Sequence, residues 1–212
     1  EWVEFDVQLT QDGKPIIFHD DKLNRTTNGK GLVSATDFET ISLLDAGSWF
    51  SDKYQHESIP TWEQYLQTAA DLALGINVEL KGEKSDAQSL AQHVVDGLAH
   101  YWSGNLPRPL ISSFSVDHLQ AFQQIQKNRY PIGYITYRWN KNWLSTMKSL
   151  NAVSLHVFYR YLTPERIQAV KNESYLLLAY TVNEESVAKQ LLSQGVDAVF
   201  SDDPTLLLRL QK

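Results

Sequence analysis

Residues 2–8 read Trp2-Val3-Glu4-Phe5-Asp6-Val7-Gln8, and this alternation of apolar and polar side chains is typical of a β-strand. Successive side chains of a strand point to opposite faces, so Glu4 and Asp6 share one face and the apolar side chains share the other. In a closed barrel the apolar face would pack against helices, and the two acids would point inward. The stretch therefore predicts a strand that carries paired carboxylates into a barrel interior.

Further apolar, β-branched runs follow this strand and are separated by amphipathic segments, a pattern that indicates a parallel sheet with crossover helices. They predict strands at residues 75–81, 109–114, 131–137, 152–156, 175–182 and 198–201. A (β/α)8 barrel uses about 250 residues, or roughly 30 for each βα unit. Seven strands in 212 residues predict an α/β protein with a TIM-type (β/α)8 barrel whose first βα unit lies before Glu1. An open, doubly wound sheet is the alternative.

The length and the absence of a composition break predict a single domain over residues 1–212. Residues 19–60 are nevertheless rich in loop-forming residues and too long for an ordinary βα connection. We predict that they form an insertion over one face of the barrel. A capping box of Thr61 and Gln64 marks the start of the helix that follows, and Asn183 stands where it would cap a later helix.

Composition excludes several classes of partner. A formal charge of −6 and a pI near 5.5, without a dense Lys/Arg run, argue against nucleic acids and anionic membranes. No apolar run approaches the roughly 18 residues of a membrane span. The absence of cysteine excludes disulfides and thiolate chemistry. We expect a cytoplasmic protein, with the periplasm as the alternative compartment, and a homo-oligomer remains an option.

A second strand repeats the arrangement of the first, in the run Ile76-Asn77-Val78-Glu79-Leu80-Lys81. Its alternation places Asn77, Glu79 and Lys81 on one face and the aliphatic side chains on the other. Carboxylates that share an interior require a compensating positive charge. Glu4, Asp6 and Glu79 form a hard oxygen donor set, which favours Mg²⁺ or Ca²⁺ over zinc. The alternative is a set of buried salt bridges with Lys81 and Arg25.

His19 follows a hairpin turn at residues 12–15 and the apolar run Ile16-Ile17-Phe18. If that run pairs near the acidic strand, His19 comes close to the carboxylates. An imidazole there can give or take a proton near neutral pH. Beside a metal, the ammonium of Lys81 would offset charge that develops on phosphate oxygens. We therefore predict His19 as a proton-transfer residue and Lys81 as a phosphate-facing cation.

Weaker candidates lie later in the chain. Phe114 and His156 end predicted strands, where catalytic groups of barrels are found, although simple core packing is an equal alternative for both. Tyr180 also lies near a strand end and is predicted to form a wall for the substrate, whereas the neighbouring Asn183 is read as structural. The other histidines are predicted to lie on the surface: His56, His93, His100 and His118.

Many short motifs occur together and in order along the chain: Glu4-Phe5-Asp6-Val7, Thr10-x-Asp12-Gly13, His19-Asp20, Leu23-x-Arg25-Thr26-Thr27-x-Gly29, Asp45-Ala46-Gly47-Ser48-Trp49, Ile59-Pro60-Thr61, Val78-Glu79-Leu80-Lys81, Ile111-Ser112-Ser113-Phe114, Tyr180-Thr181-Val182-Asn183 and Gly195-Val196-Asp197. Each motif is modest, but their order and spacing are specific. On these residues the chain resembles the glycerophosphodiester phosphodiesterases, in particular the bacterial cytoplasmic type, over nearly its whole length.

The resemblance implies a TIM-type barrel that hydrolyses glycerophosphodiesters, such as glycerophosphocholine, to an alcohol and sn-glycerol 3-phosphate with the help of a divalent cation. By matching motifs, it implies metal ligands at Glu4, Asp6 and Glu79, one of two acid/base histidines at His19, and a phosphate ligand at Lys81. It also implies that the 2-hydroxyl of glycerol acts as an internal nucleophile. The stretch of residues 19–60 corresponds to the insertion that is characteristic of the family.

One feature of the family does not occur in the 212 residues. The family's first barrel strand carries a His-Arg-Gly motif, which supplies the other histidine and a phosphate-binding arginine, and a Pro-Glu-Asn-Thr motif follows it. We expect these groups upstream of Glu1. Two other functions remain open: a barrel phosphodiesterase that acts on lysophospholipids or cyclic phosphates, and a non-catalytic barrel that binds glycerol phosphate or metal.

Overall fold

The computed structural model describes residues 2–102 and 104–210 of the chain, which form an α/β protein of alternating strands and helices. The chain divides into two compact units. The first unit comprises Glu1–Ile111 and Asp117–Tyr130, and the second comprises Ser112–Val116 and Pro131–Lys212. The α/β class predicted from the sequence is confirmed. The single domain and the insertion at residues 19–60 remain predictions.

The first half of the chain contains four strands and four α-helices in the described residues. In chain order they are β1 (Trp2–Leu9), β2 (Pro15–Ile17), α1 (Phe38–Ile41), α2 (Trp62–Asp71), β3 (Gly75–Leu80), α3 (Ala87–Tyr101), β4 (Leu110–Ser113) and α4 (Val116–Gln126). Short 3-10 helices lie at Val33–Ala35, Asp52–Tyr54 and Lys84–Asp86. β1 pairs with β3 in parallel and with β2 antiparallel, so β2 adds a hairpin strand to the predicted set.

The second half of the chain continues the alternation with β5 (Ile132–Thr136), α5 (Trp143–Ser149), β6 (Ser154–Phe158), α6 (Pro164–Asn172), β7 (Leu176–Tyr180), α7 (Glu185–Ser193), β8 (Ala198–Val199) and α8 (Pro204–Leu210). A 3-10 turn lies at Tyr159–Tyr161. Strands β5 to β8 pair in parallel, each with the next one along the chain. This consecutive order is the order of a barrel wall, whereas the strand order of a doubly wound sheet reverses direction.

The apolar face of β1 packs against a helix, as its alternation predicts. The ring of Phe5 lies 4.4 Å from that of Tyr65 and 6.0 Å from that of Trp62, both on α2. Thr61 caps α2: its hydroxyl accepts a bond from the Gln64 amide, and the Gln64 side chain accepts one from the Thr61 amide. The predicted capping box is therefore confirmed, and it fixes where the helix under β1 begins.

Residues 19–60 form a packed segment rather than an open loop. An antiparallel bridge joins Lys22 to Leu32, and the 3-10 turn at Val33–Ala35 and α1 follow it. A local apolar core holds the segment against β2, and its buried members are Ile16, Phe18, Leu23, Val33, Ile41 and Ile59. Burial of these side chains gives the segment its own source of stability.

Two local predictions are wrong. His118 was expected on the surface but is only 1% exposed, because it lies on the inner side of α4 with Leu119 and Phe122. Burial also lowers the pKa of its imidazole. Asn183 does not cap α7, whose N-cap is Glu184. The Asn183 side chain instead accepts bonds from the Ser201 hydroxyl and the Asp202 amide, so its structural role is to tie two loops together.

Candidate active site

Three carboxylates converge on the paired strands β1 and β3. The parallel register sets Asp6 opposite Glu79 and Glu4 opposite Asn77. Register partners in neighbouring strands project from the same face of a sheet. One carboxylate oxygen from each of Glu4, Asp6 and Glu79 lies within 4.8 Å of the other two. Asp6 and Glu79 are buried, with 8% and 9% exposure, while Glu4 is exposed at the edge of the cluster.

Lys81 brings a positive charge to this cluster. Its backbone N–H donates to the Val7 carbonyl and continues the β1–β3 ladder by one residue. Its ammonium then lies 3.4 Å from Asp6 Oδ1 and 4.0 Å from Glu79 Oε1. The four charged side chains that the alternation places on inward faces are therefore together in the first unit.

One ammonium does not balance the acids. Burial raises the pKa of the Asp6 carboxyl, and the charges of Lys81 and His19 offset only part of this effect. Burial, followed by repulsion from Asp6, raises the pKa of Glu79 to about 7. The alternative of a closed set of salt bridges fits only in part, because Lys81 contacts the acids but Arg25 pairs with Asp20 instead.

The donor set fits a hard divalent cation. Asp6 Oδ1 is buried without a hydrogen bond, and the 3.4 Å to the Lys81 ammonium is longer than a charge-assisted hydrogen bond. Carboxylate oxygens are the preferred ligands of Mg²⁺ and Ca²⁺, and the cluster contains no thiolate or imidazole donor of the kind that zinc selects. A bound cation would favour the ionised form of both carboxyls and so oppose the effect of burial, which is the main cause of both raised pKa values.

His19 is delivered to the cluster by the β1–β2 hairpin. The Phe18 N–H donates to the Asp6 carbonyl, so His19 directly follows the residue that pairs with Asp6. Its side chain is 64% exposed, and its Nδ1 lies 2.6 Å from Asp20 Oδ1. Arg25 in turn donates to both Asp20 oxygens, at 2.6 and 2.8 Å.

Three neighbours of His19 were not predicted as site residues. Asp20 contacts the His19 imidazole, and Arg25 donates to Asp20. The buried Gln8 side chain donates to the carbonyls of Phe18 and Asp20 at 2.7 and 3.0 Å. Gln8 stands two residues after Asp6 on the same strand face, and this spacing is a signal that could have singled it out. No comparable signal pairs Arg25 with Asp20.

The later candidates lie in the second unit. Phe114 is 46% exposed and meets the Tyr180 ring edge-on at 6.0 Å, while the Tyr180 hydroxyl donates to the Thr136 carbonyl. His156 is 1% exposed, and its Nε2 lies 2.9 Å from the Ser154 hydroxyl oxygen. Burial lowers the pKa of His156 to about 3, so the imidazole is neutral. This environment favours the core-packing alternative for His156.

Comparison with protein families identifies the chain. Residues 1–206 match the model of the glycerophosphoryl diester phosphodiesterase family. The chain belongs to this family. A glycerophosphodiester phosphodiesterase from Caldanaerobacter subterraneus is 30% identical over 98% of the chain and 84% of its own length. A second one, from Bacillus subtilis, is 32% identical over 100% of the chain and 77% of its own length. The predicted family and its phosphodiesterase class are confirmed.

A solved structure gives the same result for the fold. A phosphodiesterase from Oleispira antarctica, determined in complex with the product sn-glycerol-3-phosphate, superposes with a TM-score of 0.95. The two proteins are 35% identical, and the alignment covers 100% of this chain and 85% of that one. The predicted fold class, a TIM-type barrel, is thereby confirmed for the present chain. In the part of the chain that the structure describes, no helix has the length and apolar character needed to cross a membrane.

Proposed function

We propose that this phosphodiesterase hydrolyses glycerophosphodiesters to an alcohol and sn-glycerol 3-phosphate, with a divalent cation held by Glu4, Asp6 and Glu79. The observation that carries the proposal is the convergence of these three carboxylates within 4.8 Å on paired strands. The 35% identical relative from Oleispira antarctica supports the product, since that enzyme was determined with sn-glycerol-3-phosphate bound.

Charge on the phosphate is the main barrier to such a reaction. A cation bound to the three carboxylates would supply positive charge against the non-bridging phosphate oxygens. Lys81 supplies a second positive charge, because its partly buried ammonium lies 3.4 Å from Asp6 and therefore beside the proposed cation. Positive groups fixed in a buried site stabilise developing negative charge more strongly than the same groups in water.

Two protons move in the first step of the proposed reaction, and in the second step the attacking water loses a proton and the departing 2-oxygen takes one up. The 2-hydroxyl of glycerol loses its proton as its oxygen bonds to phosphorus, and the head-group alcohol takes up a proton as its P–O bond breaks. Water then opens the resulting cyclic phosphate to give sn-glycerol 3-phosphate. His19 serves as one of the proton-transfer partners, because the preceding residue, Phe18, pairs with Asp6 of the cluster and an imidazole can give or take a proton near neutral pH.

Phe114, His156 and Tyr180 remain predicted substrate-binding residues. Phe114 is the one with the most exposed ring, so Phe114→Leu is the informative variant. If Phe114 binds the substrate, Phe114→Leu should change KM relative to the wild type, and the change should differ between substrates with different head groups. Kinetics identical to those of the wild type for every substrate would oppose this role. The cytoplasmic location and an oligomeric assembly likewise remain predictions.

A panel of substrates tests the proposed function. Glycerophosphocholine, glycerophosphoethanolamine, lysophosphatidylcholine and an inositol phosphodiester are compared at equal concentration, and sn-glycerol 3-phosphate is quantified. We expect release of sn-glycerol 3-phosphate from the deacylated substrates. Preference for lysophosphatidylcholine would overturn the substrate assignment. Calorimetric binding of sn-glycerol 3-phosphate without turnover of any substrate would identify a non-catalytic barrel instead.

A further inference from the structure

The Asp20 side chain connects His19 to Arg25. Asp20 Oδ1 lies 2.6 Å from His19 Nδ1 and accepts a bond of 2.8 Å from Arg25 Nη2. Asp20 Oδ2 accepts a second bond, of 2.6 Å, from Arg25 Nε. The arginine therefore grips the carboxylate with two parallel bonds, a geometry that adds orientation as well as energy. Asp20 is the least exposed of the three side chains, at 22%.

The ionisation state of Asp20 determines which imidazole nitrogen carries the proton. Bonds from Arg25, and then from His19, hold the pKa of Asp20 well below its ordinary value. An ionised carboxylate can only accept hydrogen bonds, so the neutral His19 ring must carry its proton on Nδ1. Nε2 is then left as the basic atom in the neutral ring, and as a donor in the protonated ring.

The backbone on both sides of this group is fixed. The buried side chain of Gln8, at 3% exposure, binds the carbonyls of Phe18 and Asp20 and so holds the turn that carries His19. Arg25 lies in a loop closed by the bridge between Lys22 and Leu32. These contacts hold the backbone that carries His19 and Asp20, and the hydrogen bond between Asp20 and Nδ1 then limits the rotation of the exposed imidazole.

We propose that Asp20 and Arg25 are positioning residues that hold His19 as the Nδ1–H tautomer and present Nε2 for proton transfer. Asp20 acts through His19, and Arg25 acts through Asp20. The inference rests on the proposed function for the role of His19 in turnover. The tautomer itself follows from the hydrogen bonds and can be measured separately.

The matched variants are Asp20→Asn and Arg25→Gln, with Arg25→Lys as the conservative replacement and Asp21→Asn as the control on a neighbouring exposed acid. Asn can donate to Nδ1 and so favours the wrong tautomer. We expect kcat to fall about 100-fold in Asp20→Asn with little change in KM, in line with the usual contribution of general acid–base catalysis. Arg25→Gln should lower kcat by roughly 10-fold, and Arg25→Lys should restore part of the loss.

The closing experiment records ¹⁵N shifts of the His19 ring at about pH 8.5, where imidazoles are neutral, in the full chain. The His19→Gln variant assigns the signals. An Nδ1–H tautomer that is lost in Asp20→Asn, together with the kcat losses above, supports the inference. A wild-type ring protonated on Nε2, an unchanged tautomer in Asp20→Asn, or a kcat equal to that of Asp21→Asn overturns it. Failure of the wild type to turn over any glycerophosphodiester, with the tautomer as expected, would instead overturn the proposed function.

Discussion

Asp6 and Glu79 face each other as register partners on the parallel strands β1 and β3, and both carboxyls are buried. Burial raises the pKa of both, and Lys81 contacts both without neutralising the pair. Without metal, ionisation of these carboxyls at alkaline pH therefore lowers the free energy of unfolding. A bound cation would offset this loss of stability. Replacing one of these acids should therefore raise the stability of the metal-free protein and lower its affinity for metal.

Glu79→Gln should make the metal-free protein more stable at about pH 8. The raised pKa means that the folded state loses stability as the pH rises and Glu79 ionises. Glutamine cannot ionise, and the interval from 4.5 to about 7 corresponds to roughly 3 kcal/mol at most. Urea unfolding in EDTA measures the change.

The control for this variant is Glu83→Gln, which removes an exposed acid a few residues later. Calorimetry with Mg²⁺ and Ca²⁺ completes the comparison. Glu79→Gln should lose metal affinity by about 100-fold or more, since even outer-shell partners contribute 10-fold to 100-fold. A variant that is less stable than the wild type, or that keeps its metal affinity, would contradict the assigned role of Glu79.

Lys81→Met should separate phosphate binding from metal binding. Loss of the ammonium removes charge stabilisation on the phosphate, and turnover should fall by about 100-fold to 1,000-fold. Metal affinity should stay the same or rise, because a positive charge next to the carboxylates has been removed. Lys84→Met is the matched control, since Lys84 is exposed and pairs with Asp117 instead. Equal loss of turnover in the two variants would argue against a phosphate contact.

The inward and outward faces of the two site strands could be predicted from sequence because a strand has a side-chain period of two. The alternation in β1 and β3 assigned Glu4, Asp6, Glu79 and Lys81 to one face, and the structure brings them together. The register that sets Asp6 opposite Glu79 depends on tertiary packing. No local pattern within either strand specifies it.

His156 should make stability depend on pH below its ordinary pKa of 6.5. The folded-state pKa is about 3, so between these values the unfolded chain binds a proton that the folded chain does not. Stability should therefore fall as the pH falls, by at most about 1.4 kcal/mol per pH unit. Urea unfolding of the wild type and His156→Gln from about pH 7 to pH 4 tests this, because all other groups are common to both proteins. Parallel pH curves would show that His156 is not buried as a neutral group.

Thr61→Ala should lower the free energy of unfolding by about 1 kcal/mol, because the hydroxyl caps the helix that supports β1. Thr68→Ala provides the contrast. Its hydroxyl bonds to the Gln64 carbonyl inside the same helix, and alanine is the better helix former there. Thermal unfolding should show a loss for the first variant and no loss for the second. Equal effects would mean that the cap contributes nothing specific.

One wrong prediction and one unforeseen contact show where sequence patterns were misread or insufficient. His118 was assigned to the surface although Ala121 and Phe122 follow it at the spacing of one helix face, so a usable signal was present. Arg25 was considered as a partner for the carboxylates, but a loop that folds back on itself brings it to Asp20. The contact between Arg25 and Asp20 depends on how the loop closes, and the side-chain periodicity of strands and helices does not predict such contacts.

Turnover of glycerophosphocholine by metal-depleted protein is the most direct measurement of the proposed metal site. The full chain is stripped with EDTA, titrated with Mg²⁺ or Ca²⁺, and assayed for choline and sn-glycerol 3-phosphate, with Glu79→Gln in parallel. We predict no turnover without metal, equimolar release of both products once metal is added, and no recovery in Glu79→Gln. Full turnover in EDTA, or a Glu79→Gln variant as active as the wild type, would contradict a metal-dependent role for Glu4, Asp6 and Glu79.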